Sequence, residues 1–409
     1  MTALRAALMN KKGNFAVFAA MAFSSVMIMV IAAINSAHAA AISSKAECYG
    51  NLWCKSILGE YDIILKERYG LFAFYGNNYE TAGKINFYAE NSFGDKSYIR
   101  YKGTEVSLEG YELTDTAALK RQIEKVILSG YKPPVTDIDE SRNPEGENID
   151  YDRNITASWI IRGLPSQGHR EKFDMTGTIS KIKAGAGIKN IAGRTAVDMY
   201  ILTFFKDCME SRDLKSTYFN CEVEYILTGR LSDTEAKKKA AVKIKGLRNA
   251  LNLYYLYTCS EKREAAMALA QTVMPGPGAV LVQAVILESW AYAEAENDMK
   301  ILYDKKTVPL LKKDSDWALS LENVFADETA GKYIAPASIS DKGYGQYEDY
   351  IRILLCGMSE ETKLLRVMDL IQVNMKYSYY GSFLLKDYHT GLDYEITVNG
   401  EKHEFKDSY

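Results

Sequence analysis

The sequence predicts an α+β protein: one N-terminal transmembrane helix extended outward, then a mostly helical extracytoplasmic body with small β regions. Three patterns carry this expectation. A charge-free run of 20 residues extends from Phe15 to Ile34, about 30 Å of helix and one bilayer core. Beyond it, apolar residues recur at three- and four-residue spacing through most of the chain, as in helices with one buried face. A few shorter stretches alternate with period two instead, as half-buried strands do.

Residues 1–13 read as a basic cytoplasmic leader and 14–40 as the membrane helix. The first acidic residue is Glu47, while Arg5, Lys11 and Lys12 all precede the apolar run. Cations on that side place the N-terminus in the cytoplasm and the rest outside. Three readings of the segment stand side by side. A cleaved signal peptide finds its site in Ala37-His38-Ala39, but its apolar core should be 7–15 residues. An uncleaved anchor fits the length best. A prepilin-like leader fits Lys11-Lys12-Gly13, although Phe18 stands where prepilins place an acid.

The helical pattern continues through Tyr49, Trp53, Ile57, Tyr61, Ile64 and Leu65, with Gly70 as the stop. One helix from Asn14 to Tyr69 would be roughly 84 Å long. Gly50 and Gly59 permit a kink in it. Trp53, Ile57, Tyr61 and Ile64 form a stripe expected to pack against protein. Residues 41–132 hold this outer extension and a β-rich region, with strands at Lys84–Tyr88 and Tyr98–Tyr101 and turns at Gly94-Asp95 and Gly103-Thr104. A short helix, Thr114 to Leu128, takes Thr114 as N-cap and Gly130 as stop. Residues 133–152, two prolines followed by Asp, Glu, Ser, Arg, Asn, Pro and Gly with few apolar residues, read as an exposed linker.

Residues 153–409 read as a helical body ending in a β-hairpin. Phe219–Leu227 alternates like a strand. Ser232-x-x-Glu235 is a capping box opening a helix to about Cys259. A second helix runs from Glu261 to Met274. Pro275-Gly276-Pro277-Gly278 breaks the chain before a third helix, Ala279 to about Tyr303. Ala279–Ala295 carries just two charged residues, Glu288 and Glu294, and reads as a central buried helix rather than a second span. Helices follow at 342–357 and 359–378, the latter with Leu364, Met368, Ile371 and Met375 on one face. Asn399-Gly400 then turns a hairpin between Tyr394–Val398 and His403–Phe405.

Composition excludes several functions. With 409 residues, 47% hydrophobic, 25% charged and a net charge of −3, the chain is globular and has no basic footprint for nucleic acid. It has no H-E-x-x-H, no G-x-S-x-G and no G-x-x-x-x-G-K. Gly185-Ala186-Gly187 followed by Gly193 misses the dinucleotide spacing and reads as a connector. His389 and His403, near Asp393 and Glu404, have the types for acid–base work, but on alternating terminal strands they read as solvated. No catalytic, cofactor-binding or metal-binding residue is assigned, and no enzyme activity is expected. Of the six cysteines, Cys208 and Cys221 are the pair expected to couple in an exported domain. Cys48 and Cys54 are too far apart on one helix, about 9 Å. The absence of C-x-x-C argues against zinc or thiol exchange. Tyrosines cluster at 254, 255 and 257, at 344, 347 and 350, and at 377, 379 and 380. Helical spacing favours burial in the core over a docking surface.

The leader Lys11-Lys12-Gly13-Asn14-Phe15-Ala16-Val17-Phe18 and the segment Glu60-Tyr61-Asp62 through Glu67-Arg68-Tyr69-Gly70-Leu71-Phe72 resemble an uncharacterised family of Gram-positive bacteria. Later segments match in order: Cys221-Glu222-Val223-Glu224-Tyr225 to Gly229, Leu247-Arg248-Asn249 to Leu253, Val308-Pro309-Leu310-Leu311-Lys312, and Tyr347 through Met375. Genes of that family lie in Tad (Flp) pilus loci, and its N-terminus is similar to that of TadE/TadG pseudopilin-like proteins. The resemblance implies a membrane-anchored accessory or minor pseudopilin-like component, with pilins or Tad/Flp assembly proteins and the bilayer as partners. An anchored ligand-binding or adhesive domain is the alternative, and an anchored extracytoplasmic enzyme ranks third.

Overall fold

The structure is a computed structural model and describes residues 2–94, 98–134, 159–183, 195–209, 217–325, 332–340 and 345–409; side chains are described from residue 15 onward. The chain is mostly helical with small sheets, an α+β architecture. It divides into two compact units interleaved in sequence: Met1–Tyr61, Phe74–Tyr111 and His389–Tyr409 form one, and Asp62–Ala73 with Glu112–Tyr388 form the other. Of the expected linker, Pro133 and Pro134 are half-buried and residues 135–152 lie outside the described residues.

The first unit is organised by the Thr2–Leu58 helix. Residues 15–41 are exposed on every face of it, and this stretch is long and apolar enough to cross a membrane. Burial begins at Ile42 and recurs at Ala46, Gly50, Trp53, Cys54, Ile57 and Leu58, a single stripe. That stripe faces Ile85, Ala89 and Phe93 of the Asn78–Phe93 helix and the buried side of the terminal strands. Trp53 meets Phe93 edge-on at 5.5 Å, and its indole N–H donates to Ser92 Oγ at 3.1 Å. The single helix expected to reach Tyr69 is instead two. The first ends at Leu58, ahead of Gly59, and Ile63–Tyr69 restarts with Asp62 as N-cap, its carboxylate accepting from Leu65 N–H at 2.8 Å. Trp53 and Ile57 keep the expected stripe, whereas Tyr61, past the turn, bridges to Phe74 and Ile64 belongs to the second unit. Gly70 stops the second helix with φ 68°, as expected.

Two more expectations about this region are corrected. Lys84–Tyr88 lies inside a helix, not a strand. Asn77 caps it by accepting from Glu80 N–H at 2.9 Å, and Thr81, Ile85, Ala89 and Phe93 bury one face at four-residue spacing. Gly103 sits within the Tyr101–Ser107 strand rather than in a turn. It takes φ 120° where the register slips between Tyr101 and Thr104, an irregularity that glycine accommodates.

The sheet is three-stranded and antiparallel, with Gly391–Val398 central between Tyr101–Ser107 and Glu401–Ser408. The expected hairpin is present and longer. Asn399 (φ 53°) and Gly400 (φ 88°) form its two-residue turn, and Tyr394 pairs with Phe405 and Ile396 with His403. Leu392, Tyr394, Ile396 and Val398 are buried, so the period-two pattern reports a one-sided sheet. Gly50 lets the hairpin lie close to the first helix: a Cβ there would come within 2.1 Å of the Phe405 ring. Gly50→Val is therefore expected to destabilise the unit by about 1–3 kcal/mol. Amide hydrogen exchange should then speed up in residues 391–408. Unchanged protection of those strands would show that Phe405 simply moves aside.

The second unit packs helices around Glu360–Ser378. From Thr362 to Lys376 this helix is buried on every face except at Leu365. The expected stripe of Leu364, Met368, Ile371 and Met375 is thus one side of a central helix. Thr116–Ser129 takes Asp115 rather than Thr114 as N-cap, accepting from Ala117 N–H at 2.9 Å, and stops at Gly130. Phe219–Leu227 is not a strand: Glu222–Thr228 is a helix, ended by Gly229 at φ 65°. Its alternation misleads because every residue from Glu222 to Leu227 is buried, so neither period applies. Asp233–Thr258, Ser260–Val273 and Ala279–Tyr303 follow as expected; Ser232 takes the N-cap position, but its side chain makes no capping hydrogen bond, so the expected capping box is not formed. The last of these is half exposed where full burial was expected: Ile286, Leu287, Trp290 and Ala291 face inward, and Val280, Leu281, Val285 and Tyr292 outward. Helices also occupy Tyr347–Cys356 and Glu360–Ser378.

Candidate functional site

The residues singled out in the sequence end up in different places. His389 and His403, expected in solvent, are buried on the inner side of the terminal strands. His389 Nε2 lies 3.0 Å from Gly76 O, to which it donates. A ring held by a backbone carbonyl and packed near Phe74 has a structural part in its own unit. Gly185–Gly193 and Tyr344 lie outside the described residues. Tyr347 and Tyr350 are buried, Tyr377, Tyr379 and Tyr380 half-buried, and Tyr254 and Tyr257 exposed. All six cysteines are free thiols, so the expected Cys208–Cys221 bond is not formed.

Cys208 and Cys221 nevertheless come together, and with them Glu224. Among the described residues, the two sulfurs and a carboxylate oxygen all lie within 4.8 Å of one another. Cys221 precedes the Glu222–Thr228 helix and Glu224 is three residues on, so both project from its first turn. Cys208 arrives from the chain after the Ala196–Phe204 helix. Its backbone N–H donates to both Glu224 carboxylate oxygens, at 3.1 and 3.2 Å. Tyr347 donates its hydroxyl proton to Glu224 Oε1 at 2.9 Å, and Cys208 Sγ lies 3.5 Å from that hydroxyl. The hydrogen bond from Cys221, with Tyr347 assisting, brings the Cys208 thiol down to about 6 against the opposing effect of burial. The same bond and burial push the Cys221 thiol up. Burial holds the Glu224 carboxyl well above its ordinary range. Beside the cluster opens a cavity of about 260 Å³, lined by Phe205, Asp207, Met209, Val223, Lys305 and Tyr347. A polarised thiol, a second thiol and a carboxyl grouped next to a cavity suit thiolate or metal-ligand chemistry.

A second polar centre lies deeper in the same unit and is fully paired. The Arg248 guanidinium donates to Asp298 Oδ2 (2.9 Å), Asn252 Oδ1 (2.7 Å) and the carbonyls of Pro309 (3.0 Å) and Leu310 (2.8 Å). Lys312 donates to Asp298 Oδ1 at 2.6 Å and to Glu294. Glu294 also accepts from the N–H groups of Ala318 and Leu319 at 3.0 and 2.9 Å. Two cations and two carboxylates balance, all of them buried. The network ties residues 308–319 to two helices, a fastening rather than a reactive site. Sequence reasoning missed it because a charge on a helix reads as solvated. The available signal was that Arg248 and Lys312 are the one charged residue in each of two short segments, Leu247–Leu253 and Val308–Lys312.

The class defined by this architecture is an α+β protein with a single long apolar N-terminal helix and a helical body built round buried polar clusters. Residues 150–400, more than half the chain, match a family of unknown function, DUF5702. The chain belongs to that family. No curated protein and no solved structure matches it.

Proposed function

We propose that the protein is a membrane-anchored accessory or minor pseudopilin-like component of a Tad/Flp-type pilus assembly system, with its N-terminus cytoplasmic and its body outside the cell. The observation that carries this is the two-part first helix. Residues 15–41 offer an apolar surface on all sides, and without a break the same helix becomes the core of a folded unit from Ile42 to Leu58. Such an element holds a subunit in the bilayer while presenting its body to partners, and its apolar part is buried equally well among lipid tails or among other helices. The Lys11-Lys12-Gly13 leader and the resemblance to proteins encoded in Tad loci support the same reading. In it the body is a structural and interaction module rather than an enzyme.

Protease added to intact protoplasts is expected to digest the body and spare an N-terminal tag. A protected body would overturn the topology. An in-frame deletion is expected to reduce filament number or length, and unchanged filaments and adhesion would overturn the pilus role. Mass spectrometry of the membrane form separates two versions: a terminus at Asn14 marks a processed subunit able to polymerise, and one at Met1 a permanent accessory. The cavity beside Cys208 favours an anchored ligand-binding domain as the second reading, which predicts normal filaments in the deletion strain.

A further inference from the structure

We propose that Cys208, Cys221 and Glu224 form a zinc site. The argument is independent of the pilus reading and begins with geometry. Zinc binds thiolates at about 2.3 Å and carboxylate oxygens at about 2.0–2.2 Å, so tetrahedral ligands stand about 3.5–3.8 Å apart. The three donor atoms already lie within 4.8 Å of one another. Closing on an ion therefore takes side-chain shifts of about 1 Å or less, with the backbone in place. Cys221 and Glu224 share one helical turn, and the Cys208 N–H bonds to Glu224 fix the third ligand against them.

The surroundings are those of a metal site with its outer contacts built. Glu224 is completely buried, and among the described residues no Lys or Arg pairs with it; its side chain accepts from neutral donors, Cys208 N–H and Tyr347 O–H. A carboxyl buried without a cation either stays neutral or coordinates a metal. Glu222 and Asp369 are also buried with neutral donors, Asn374 and Tyr225 among them, but they are not part of any such donor group among the described residues. Tyr347 orients the Glu224 oxygen, as an outer-shell hydrogen bond to a ligating carboxylate does. Tyr303 stacks on Tyr347 at 5.9 Å, and Lys237 Nζ lies 4.9 Å from the Tyr303 ring centre. That ammonium offsets the net single negative charge of a Zn²⁺ with two thiolates and one carboxylate. Soft thiolates select zinc over magnesium or calcium. A cavity lies next to the cluster, lined by Asp207 and Met209, which flank Cys208 in sequence, by Val223, between the other two ligands, and by Tyr347; water completes a tetrahedral set as fourth ligand. On binding, the two thiols and the protonated Glu224 carboxyl each give a proton to solvent, and no oxidant or reductant is involved.

The test uses the full chain in detergent, purified with a phosphine reductant, stripped of metal and titrated with Co²⁺ as a spectroscopic probe. One equivalent should produce the thiolate-to-cobalt charge-transfer band and the intense visible bands of a tetrahedral ion, and one equivalent of Zn²⁺ should erase both. Cys221→Ser and Cys208→Ser should each abolish the charge-transfer intensity assigned to that sulfur, and Tyr347→Phe should weaken zinc binding about 10- to 100-fold. The metal-free variants should match metal-free wild type in helical circular dichroism. Where a variant fails to fold, the wild-type cobalt spectrum and zinc stoichiometry decide. Three results would overturn the proposal: no thiolate band in wild type, a band of undiminished intensity in both cysteine variants, or a Cys208–Cys221 disulfide in peptide maps of protein taken from native membranes without reductant.

Discussion

Asp298→Ala is expected to destabilise the second unit by about 3–5 kcal/mol, enough to unfold it at moderate temperature. The carboxylate is the shared anion of the buried network, receiving Arg248 on one oxygen and Lys312 on the other. Removing it leaves a guanidinium with only neutral acceptors and an ammonium with Glu294 alone, both out of reach of water. That penalty exceeds what the intact pair contributes, because an unpaired charge in low dielectric cannot recover its hydration. The pH dependence has a definite sign. Burial alone would raise the Asp298 carboxyl, but Lys312 and Arg248 outweigh it and hold the group below its ordinary value. A folded-state pKa below the unfolded one contributes stability above about pH 4, lost as pH falls through the folded value. Glu294 has the opposite sign, since burial holds its carboxyl up despite Lys312. Its contribution is present below the unfolded pKa and lost as pH rises through the folded one. Urea titrations of the detergent-solubilised chain between pH 3 and 7 should therefore show a wild-type acid limb that is flattened in Asp298→Ala. A loss under about 1 kcal/mol would mean that water reaches the network.

Ile57→Asp is expected to disrupt the first unit. Ile57 is fully buried on the helix stripe that faces Phe93 and the terminal strands. The substitution removes about 1.5–3 kcal/mol of apolar burial and adds the desolvation of a carboxylate for which that apolar cluster supplies no partner. Together these exceed the range of ordinary point substitutions. Limited proteolysis should cut residues 391–408 in the variant and not in wild type, while a partner that binds this unit should no longer co-purify. Ile63→Asp, at a position 62% exposed, is the matched control and should change neither readout. Equal behaviour of the two variants would show that the stripe is not a core.

These expectations also mark what the sequence made legible. The first helix announced both of its halves: absence of charge marked the membrane-length part, and spacing marked Trp53 and Ile57. The terminal hairpin was equally plain, because Asn399-Gly400 fixes the turn and the sheet buries only one face. Reading failed where a segment is wrapped on all sides. Val223, Tyr225 and Leu227 alternate, but Glu222 before them and Glu224 and Ile226 between them are buried too, so the pattern of polar and apolar residues no longer reports direction. Lys84–Tyr88 failed differently: five residues are too few to separate period two from period 3.6, and the cap that decides the matter, Asn77, stands seven residues upstream. The cysteine–glutamate cluster was half visible. Cys208 and Cys221 paired by their spacing, but Glu224 joins them only because residues 221–228 are helical, the feature the alternation concealed.

The pairing of the first helix with the hairpin sets an order of events during synthesis. Trp53 and Ile57 leave the ribosome early, yet the strand they pack near, Glu401–Ser408, is made more than 340 residues later. At about 5–20 residues per second, that surface waits roughly 20–70 s for its covering. A chain that stops short of the hairpin never completes its first unit, and keeps an apolar stripe directly beside the membrane-length segment.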